Sequence, residues 1–354
     1  MKRILLIAAL FITANAFTQI NSYTLLDGSI NKYPVTMHLH QYGHIFLGYY
    51  YYNSTQQPIY FTGEDTSRQG EVFLTTNGTS ETENFILSFS NNAAKGTWQQ
   101  GDNNNTFNVD LMETQLPLQF TFEYREGEKL LRNSMKDSPA ATFEASSVWP
   151  KGNSPTDVFI QTEIRKMFDD SSSNKNIDGI LEKNENAFFK DYIESNSDMQ
   201  TEDMGATLNY DVSTNLLISF QSSKILSLAL DTYAYTGGAH GNYGTVYTSY
   251  DITQNKKLGL SDILNAAGIA KLQALLERNF RKQNDLQPTD ALTTAGLFEN
   301  EIKPNDNFYV TGKGINFAYT PYEIGPFAMG EVEIFISFKD LENYLQPGFK
   351  SLIN

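Results

Sequence analysis

Residues 233 to 264 read YAYTGGAHGNYGTVYTSYDITQNKKLGLSDIL, and their order is strand, glycine turn, strand, polar turn, helix start. Tyr233 and Tyr235 share a face, because side chains two apart on a strand point the same way. The strand ends in Thr236-Gly237-Gly238-Ala239-His240-Gly241, whose paired glycines permit backbone angles closed to other residues. Val246, Thr248, Tyr250 and Ile252 alternate along the return strand. Asn255 lies in a polar turn, and Ser261 is placed to cap a helix beginning at Asp262. The spacing predicts a β-hairpin with a tight tip that carries His240.

Beyond this hairpin, Ile269, Leu272, Leu275, Leu276 and Phe280 form one amphipathic stripe. Strands follow at Phe308-Tyr309-Val310, at Ile315, Phe317 and Tyr319, and at Val332, Ile334, Ile336 and Phe338. Glu331 and Glu333 fall on the opposite face of that last strand. Residues 339 to 345 are predicted as a short helix that stops before Pro347-Gly348. Before the hairpin, Ser154 and Pro155 suit the N-cap and first position of a helix, and Ile160, Ile164, Met167 and Phe168 fall on one face of it. Ile177, Leu181, Phe188 and Tyr192 make a second helical stripe. Strands are expected around residues 208–212, 216–220 and 225–235, so helices pack on an antiparallel sheet in an α+β arrangement.

Residues 20–112 read differently. Short apolar runs at Val35-Thr36-Met37, residues 45–52, Ile59-Tyr60-Phe61, Val72-Phe73-Leu74, Phe85-Ile86-Leu87 and Phe107-Asn108-Val109 recur about every ten residues. Gly, Asn, Ser and Asp clusters separate them, which is the pattern of an all-β sandwich or barrel. Residues 113–141, with Lys129, Arg132, Lys136 and the turn-like Asp137-Ser138-Pro139, read as a connecting region.

Composition narrows the function classes. The chain of 354 residues has room for two or three cores. Lys2 and Arg3 precede the apolar run from Ile4 to Ile12, and Ala14-Asn15-Ala16 offers small residues for cleavage, so residues 1–16 are expected to be an export signal. The run is too short for a spanning helix, and no other stretch reaches 18 apolar residues; no membrane span is expected. Without cysteine, disulfides, thiolate metal sites and a cysteine nucleophile are excluded. The net charge is −15, so nucleic acid and anionic lipid are poor partners, whereas a cationic protein would be steered toward the chain. The same charge also simply keeps a secreted protein soluble. The expected location is secreted or periplasmic.

The GGAH turn between aromatic strands, the segment ending LGLSDIL and the later VTGKGINFAYTPYEIGPFAMGEVEIFISFKDLENYL resemble the DUF3298 domain. This is the extracytoplasmic domain of RsiV-type anti-sigma factors and PdaC-type peptidoglycan deacetylases. Residues 142–230 are similar in pattern to the DUF4163 region that precedes it. Joined to the all-β reading of residues 20–112, the resemblance implies a multidomain chain: an N-terminal all-β domain, then a DUF4163-like α+β unit over 142–230 and a DUF3298-like α+β unit over 231–347. It implies recognition of a cell-envelope ligand, either a cationic, lysozyme-like protein or a peptidoglycan fragment.

Candidate site residues follow from the two least regular stretches. Tyr235, Gly237, Gly238 and His240 at the hairpin tip, with Tyr322 and Glu323 in Pro321-Tyr322-Glu323-Ile324-Gly325-Pro326, are expected to bind ligand, since binding residues concentrate on loops held by rigid scaffolds. His240 has three readings: a ring that locks the turn, a contact with a partner, or a general base or metal ligand. The prolines of the second stretch equally suit a rigid connector. His38 and His40 are expected on a solvated strand face with His44 past the turn, a set that lacks a fourth metal ligand and an orienting carboxylate. Tyr49 to Tyr52 place two phenols on each face of one strand, for cross-strand pairing or outward contacts. No phosphate loop, Gly-x-Ser-x-Gly or His-Glu-x-x-His pattern is present. The chain therefore reads as a non-enzymatic binding protein without catalytic residues, metal or cofactor. The alternative is an envelope hydrolase, or a deacetylase-associated module, using His240.

Overall fold

The computed structural model describes residues 21–68, 70–76, 82–101, 105–135, 137–171, 176–199 and 205–353; the expected export signal at 1–16 lies outside them. Eight antiparallel strands close into a barrel. They are β1 (Asn21–Ile30), β2 (Tyr33–Tyr42), β3 (Ile45–Tyr52), β4 (Ile59–Asp65), β5 (Glu71–Thr76), β6 (Glu83–Ser90), β7 (Ala93–Gln100) and β8 (Thr106–Glu113). The ring closes where β1 pairs with β8, Gly28 opposite Leu111. Alternation places Val35, Met37 and Leu39 inside with Phe46, Tyr50 and Phe85. Glycines sit where strands press together: a Cβ on Gly96 would lie 1.8 Å from the Ile86 carbonyl oxygen.

The rest of the chain is built on a six-stranded sheet. β9 (Phe120–Leu130) and β10 (Ala140–Pro150) are paired along their length. α1 (Pro155–Met167) and α2 (Ile177–Ser195) carry the chain back to β11 (Tyr210–Gln221), parallel to β10. β12 (Ile225–Tyr235) and β13 (Asn242–Asp251) form the predicted hairpin, and β14 (Lys256–Lys257) ends the sheet. Ser154 caps α1, its side chain accepting from the Asp157 N–H while the Asp157 carboxylate accepts from the Ser154 N–H.

α3 (Leu260–Ile263) and α4 (Ala266–Gln283) lead to a second, three-stranded sheet of β15 (Phe308–Val310), β16 (Gly314–Tyr319) and β17 (Val332–Ser337), and α5 (Pro347–Ile353) follows. The two faces of β12 bury different partners. Leu226 and Leu228 join the α1 and α2 stripes in one core. Ser227 and Ala229 face the small sheet, where the Ser227 hydroxyl donates to the Val310 carbonyl at 2.8 Å and the Val310 N–H donates to Ser249 at 2.9 Å. Leu272, Leu276 and Phe280 of α4 cover the other side of the small sheet with Phe317, Ile334 and Ile336. The layers run helices, large sheet, small sheet, helix.

Several expectations change here. The connecting region 113–141 contains strand β9, whose Phe120 and Phe122 are buried; residues 114–119 and the turn with Asp137-Ser138-Pro139 connect it to β8 and β10. The division between 230 and 231 falls inside β12, so the two expected α+β units share one sheet. The helix expected to begin at Asp262 under a Ser261 cap starts at Leu260 with Gly259 as N-cap. Pro347 begins α5 rather than ending a helix, because proline needs no donor in the first turn.

The largest correction concerns the outer wall of the barrel. His38 and His40 are buried, not solvated, because β1 and β2 pack their outer faces on β9 and β11 of the large sheet. The His38 ring stacks on Tyr49 at 4.5 Å and its Nδ1 pairs with the Tyr23 hydroxyl at 3.0 Å. His40 lies against Tyr23 and Phe122, and its Nε2 accepts from the Ile218 N–H at 3.5 Å. Burial pushes the His40 imidazole down to about 3, and His38 is lowered by burial and by its neighbour. His44 is exposed at the far end of the strand, paired with Asp65 at 2.7 Å, so the three rings do not converge. Tyr49 and Tyr51 point outward into the core shared with the small sheet, while Tyr50 points into the barrel.

Candidate functional site

The β12–β13 hairpin ends in the turn 236–241, where Gly237 and Gly238 take φ of 97° and 103°. An L side chain rarely adopts such angles, so the glycines set the path of the tip. The Tyr235 hydroxyl donates to the Gly238 carbonyl at 3.1 Å and braces the turn. A Cβ on Gly241 would meet the Tyr233 ring at 2.6 Å, so the chain passes flat against that ring.

His240 lies at this tip and is exposed. Its Nδ1 is 2.9 Å from the Gly241 carbonyl, which accepts only, so Nδ1 carries the proton. In the neutral ring Nε2 is then the acceptor, and the Tyr322 hydroxyl stands 3.4 Å away, 82 residues on in the chain. The imidazole stacks on Phe327 at 4.2 Å, and Tyr322 and Tyr243 lie against the same phenyl ring at 5.7 and 5.4 Å. Tyr322 has φ of 71° and is 55% exposed, a strained placement that turns its ring outward beside His240.

Between the hairpin and the loop 320–327 runs a groove of about 370 Å³, lined by Tyr233, Tyr243, Thr320, Pro321, Tyr322 and Phe327 among others. Carboxylates lie behind it. Glu331 accepts from the Thr245 N–H at 2.6 Å and from its hydroxyl at 2.9 Å. Burial raises the Asp231 carboxyl, and the negative charge of Glu331 raises it further.

The structure thus brings His240 and Tyr322 together, with Tyr235, Gly237 and Gly238 as the frame of the tip. Glu323 ties down the loop, since its carboxylate accepts from the Thr320 N–H at 3.0 Å and from the Asn305 side chain at 2.8 Å. Phe327 and Tyr243 were not singled out from the sequence, although Phe327 lies in the PYEIGPFAMG segment. Their signal was aromatic content beside glycine and proline. Glu333, expected on an open face, is partly buried and accepts from Tyr247 at 2.9 Å, Tyr309 at 3.3 Å and Tyr60 of the barrel at 3.5 Å. The Asn316 amide also donates to it. Burial raises this carboxyl, against the pull of its donors. Among the described residues no group of three or more His, Asp or Glu side chains could hold a metal ion.

Residues 261–339 match the family model described as a protein of unknown function, DUF3298, and residues 153–243 match the model described as Deacetylase PdaC. The hairpin tip therefore falls within the PdaC match, not the DUF3298 one, and Tyr322 falls within the DUF3298 match. A crystal structure of a DUF3298 family member from Bacteroides fragilis is similar at 22% identity and a TM-score of 0.61, over 68% of this chain and 99% of that one. A second, a DUF3298 family protein from Pseudomonas aeruginosa, has 17% identity and a TM-score of 0.45, over 67% of this chain and 97% of that one. No curated protein matches the chain.

Proposed function

We propose that this chain is a secreted or periplasmic binding protein that recognises a basic protein or glycan component of the cell envelope through the groove between the hairpin tip and the loop 320–327. The observation that carries this reading is the meeting of His240, Tyr322 and Phe327 from two distant stretches into one exposed aromatic surface. Rigid aromatic rings supply contact area at small entropic cost, and they stack on sugars or on cationic side chains. The acidic chain and the carboxylates of Asp231 and Glu331 behind the groove favour a cationic partner, of which a lysozyme-like protein is one example. The matches to DUF3298 and to Deacetylase PdaC support an envelope-related module. A non-enzymatic role is favoured because the ring nitrogens of His240 face a carbonyl and a phenol, not a carboxylate that would orient a general base.

The test is binding by the full chain lacking residues 1–16, measured by calorimetry against hen egg-white lysozyme and against soluble peptidoglycan fragments. The expectation is that His240→Ala and Tyr322→Ala each weaken binding about tenfold or more, and that association with the basic protein slows as salt rises. Binding indifferent to both substitutions would place recognition elsewhere. Hydrolysis or deacetylation of the fragments, abolished in a folded His240→Ala variant, would replace binding by catalysis.

A further inference from the structure

A second cavity lies far from the groove in sequence, at one end of the barrel. Toward the other end Tyr50, Phe85 and Trp98 pack together, and the Tyr50 hydroxyl and the Trp98 N–H both donate to the buried Glu83. At the end made by the β2–β3 and β4–β5 turns, a cavity of about 1180 Å³ opens instead. An eight-stranded barrel has room inside either for its own side chains or for one small ligand; here Leu39, Phe46 and Val72 belong to the packed core, and the cavity lies over them at the mouth.

The floor of the mouth is apolar. Leu39, Phe46, Val72 and Phe89 line it, and the Phe46 and Phe89 rings lie nearly parallel, 12° apart with centroids 6.5 Å from each other. The lip is polar and acidic. Glu64, Asp65 and Glu126 stand at it. Arg68, also at the lip, is matched by Glu71 at 3.5 Å, and Asp65 is bonded to His44 at 2.7 Å. The lip is also fixed in place: Tyr42 at its edge stacks on Tyr124 of β9 at 4.0 Å.

We propose that this barrel mouth binds a small amphiphile with a cationic head, its apolar body against Leu39, Phe46, Val72 and Phe89 and its amine or quaternary ammonium among Glu64, Asp65 and Glu126. Apolar walls with a few convergent polar groups at the opening are what a ligand site needs. The surplus of carboxylates at the lip decides the sign of the head, because a cation there is attracted and an anion repelled.

The probes are dodecyltrimethylammonium and dodecyl sulfate, each below its critical micelle concentration, titrated calorimetrically into the full chain. One saturable site per chain is expected, with the cationic probe preferred about tenfold or more. Val72→Trp, which fills the cavity without changing net charge, should remove that site while the unfolding midpoint is retained. Glu64→Lys combined with Glu126→Lys alters only the exposed lip and should reverse the preference. No saturable binding, equal or tighter binding of the anion, or binding unchanged in folded Val72→Trp would overturn the proposal. Should Val72→Trp fail to fold, an unaltered preference in the lip variant would overturn it by itself.

Discussion

Acid should loosen the contact between barrel and sheet, and His40 sets the size of the effect. Its imidazole is pushed from the ordinary 6.5 to about 3 because burial disfavours the cation. Below pH 6.5 the unfolded chain takes up a proton that the folded chain refuses, so this contribution is lost as pH falls. At pH 5, about 1.5 pH units below the ordinary value, the loss is about 2 kcal/mol, at about 1.36 kcal/mol per unit. Glu123, Glu144, Asp231 and Glu333 have raised carboxyls and act in the opposite sense, since their folded forms take up protons first. A difference between variants therefore isolates the histidine. In His40→Gln the amide oxygen can still accept from the Ile218 N–H, but nothing titrates. Urea unfolding followed by tryptophan fluorescence should show the wild type losing about 2 kcal/mol more than His40→Gln between pH 7 and pH 5. Equal losses would mean that the imidazole is not held neutral between the barrel and β11.

Three further outcomes test the frame. Ser154→Ala removes the side-chain half of the α1 capping box and should cost about 1 kcal/mol in urea unfolding. Gly96→Ala sets a methyl carbon against the Ile86 carbonyl, main chain that cannot yield without breaking the β6–β7 ladder; a loss of about 3 kcal/mol is expected, and a near-neutral result would contradict the close strand approach. Tyr60→Phe removes the barrel's hydroxyl from the Glu333 cluster and should cost about 1 kcal/mol; unfolding at neutral pH reads it directly.

Much of this was legible because its signals are local. The Ser154-Pro155 start, the stripes of α1, α2 and α4 and the Gly237-Gly238 turn each lie within a few residues of what they determine. Alternation also told correctly that the barrel strands have two faces. It could not tell what the outer face meets. His38, His40, Tyr49 and Tyr51 look the same in sequence whether they face water or a second sheet, and only the packing of β1 and β2 on β9 and β11 and of Tyr51 on Phe220 distinguishes the two. β9 was missed because charged residues from Glu123 to Lys129 outweighed the alternation of Phe120, Phe122 and Tyr124. The meeting of His240 with Tyr322 spans 82 residues and required the layering of the two sheets. A fragment beginning near residue 140 would lose β9 and bare the surface that the barrel covers, so only the whole chain is a fair subject for binding experiments.

The hairpin also has a mechanical meaning. β12 runs unbroken from Ile225, in the core shared with the barrel's Tyr51 and Tyr49, to Tyr235 beneath the tip. Its 11 residues span about 35 Å, and ladders to β11 and β13 flank it on both sides. A ligand held at the tip and pulled along the strands would draw β12 and β13 together and load the β11–β12 ladder in shear. Hydrogen bonds lying across the strands then share the force and must fail together, whereas a pull at right angles would peel them one at a time. Any partner anchored at the tip would be gripped firmly along one axis and released readily along another.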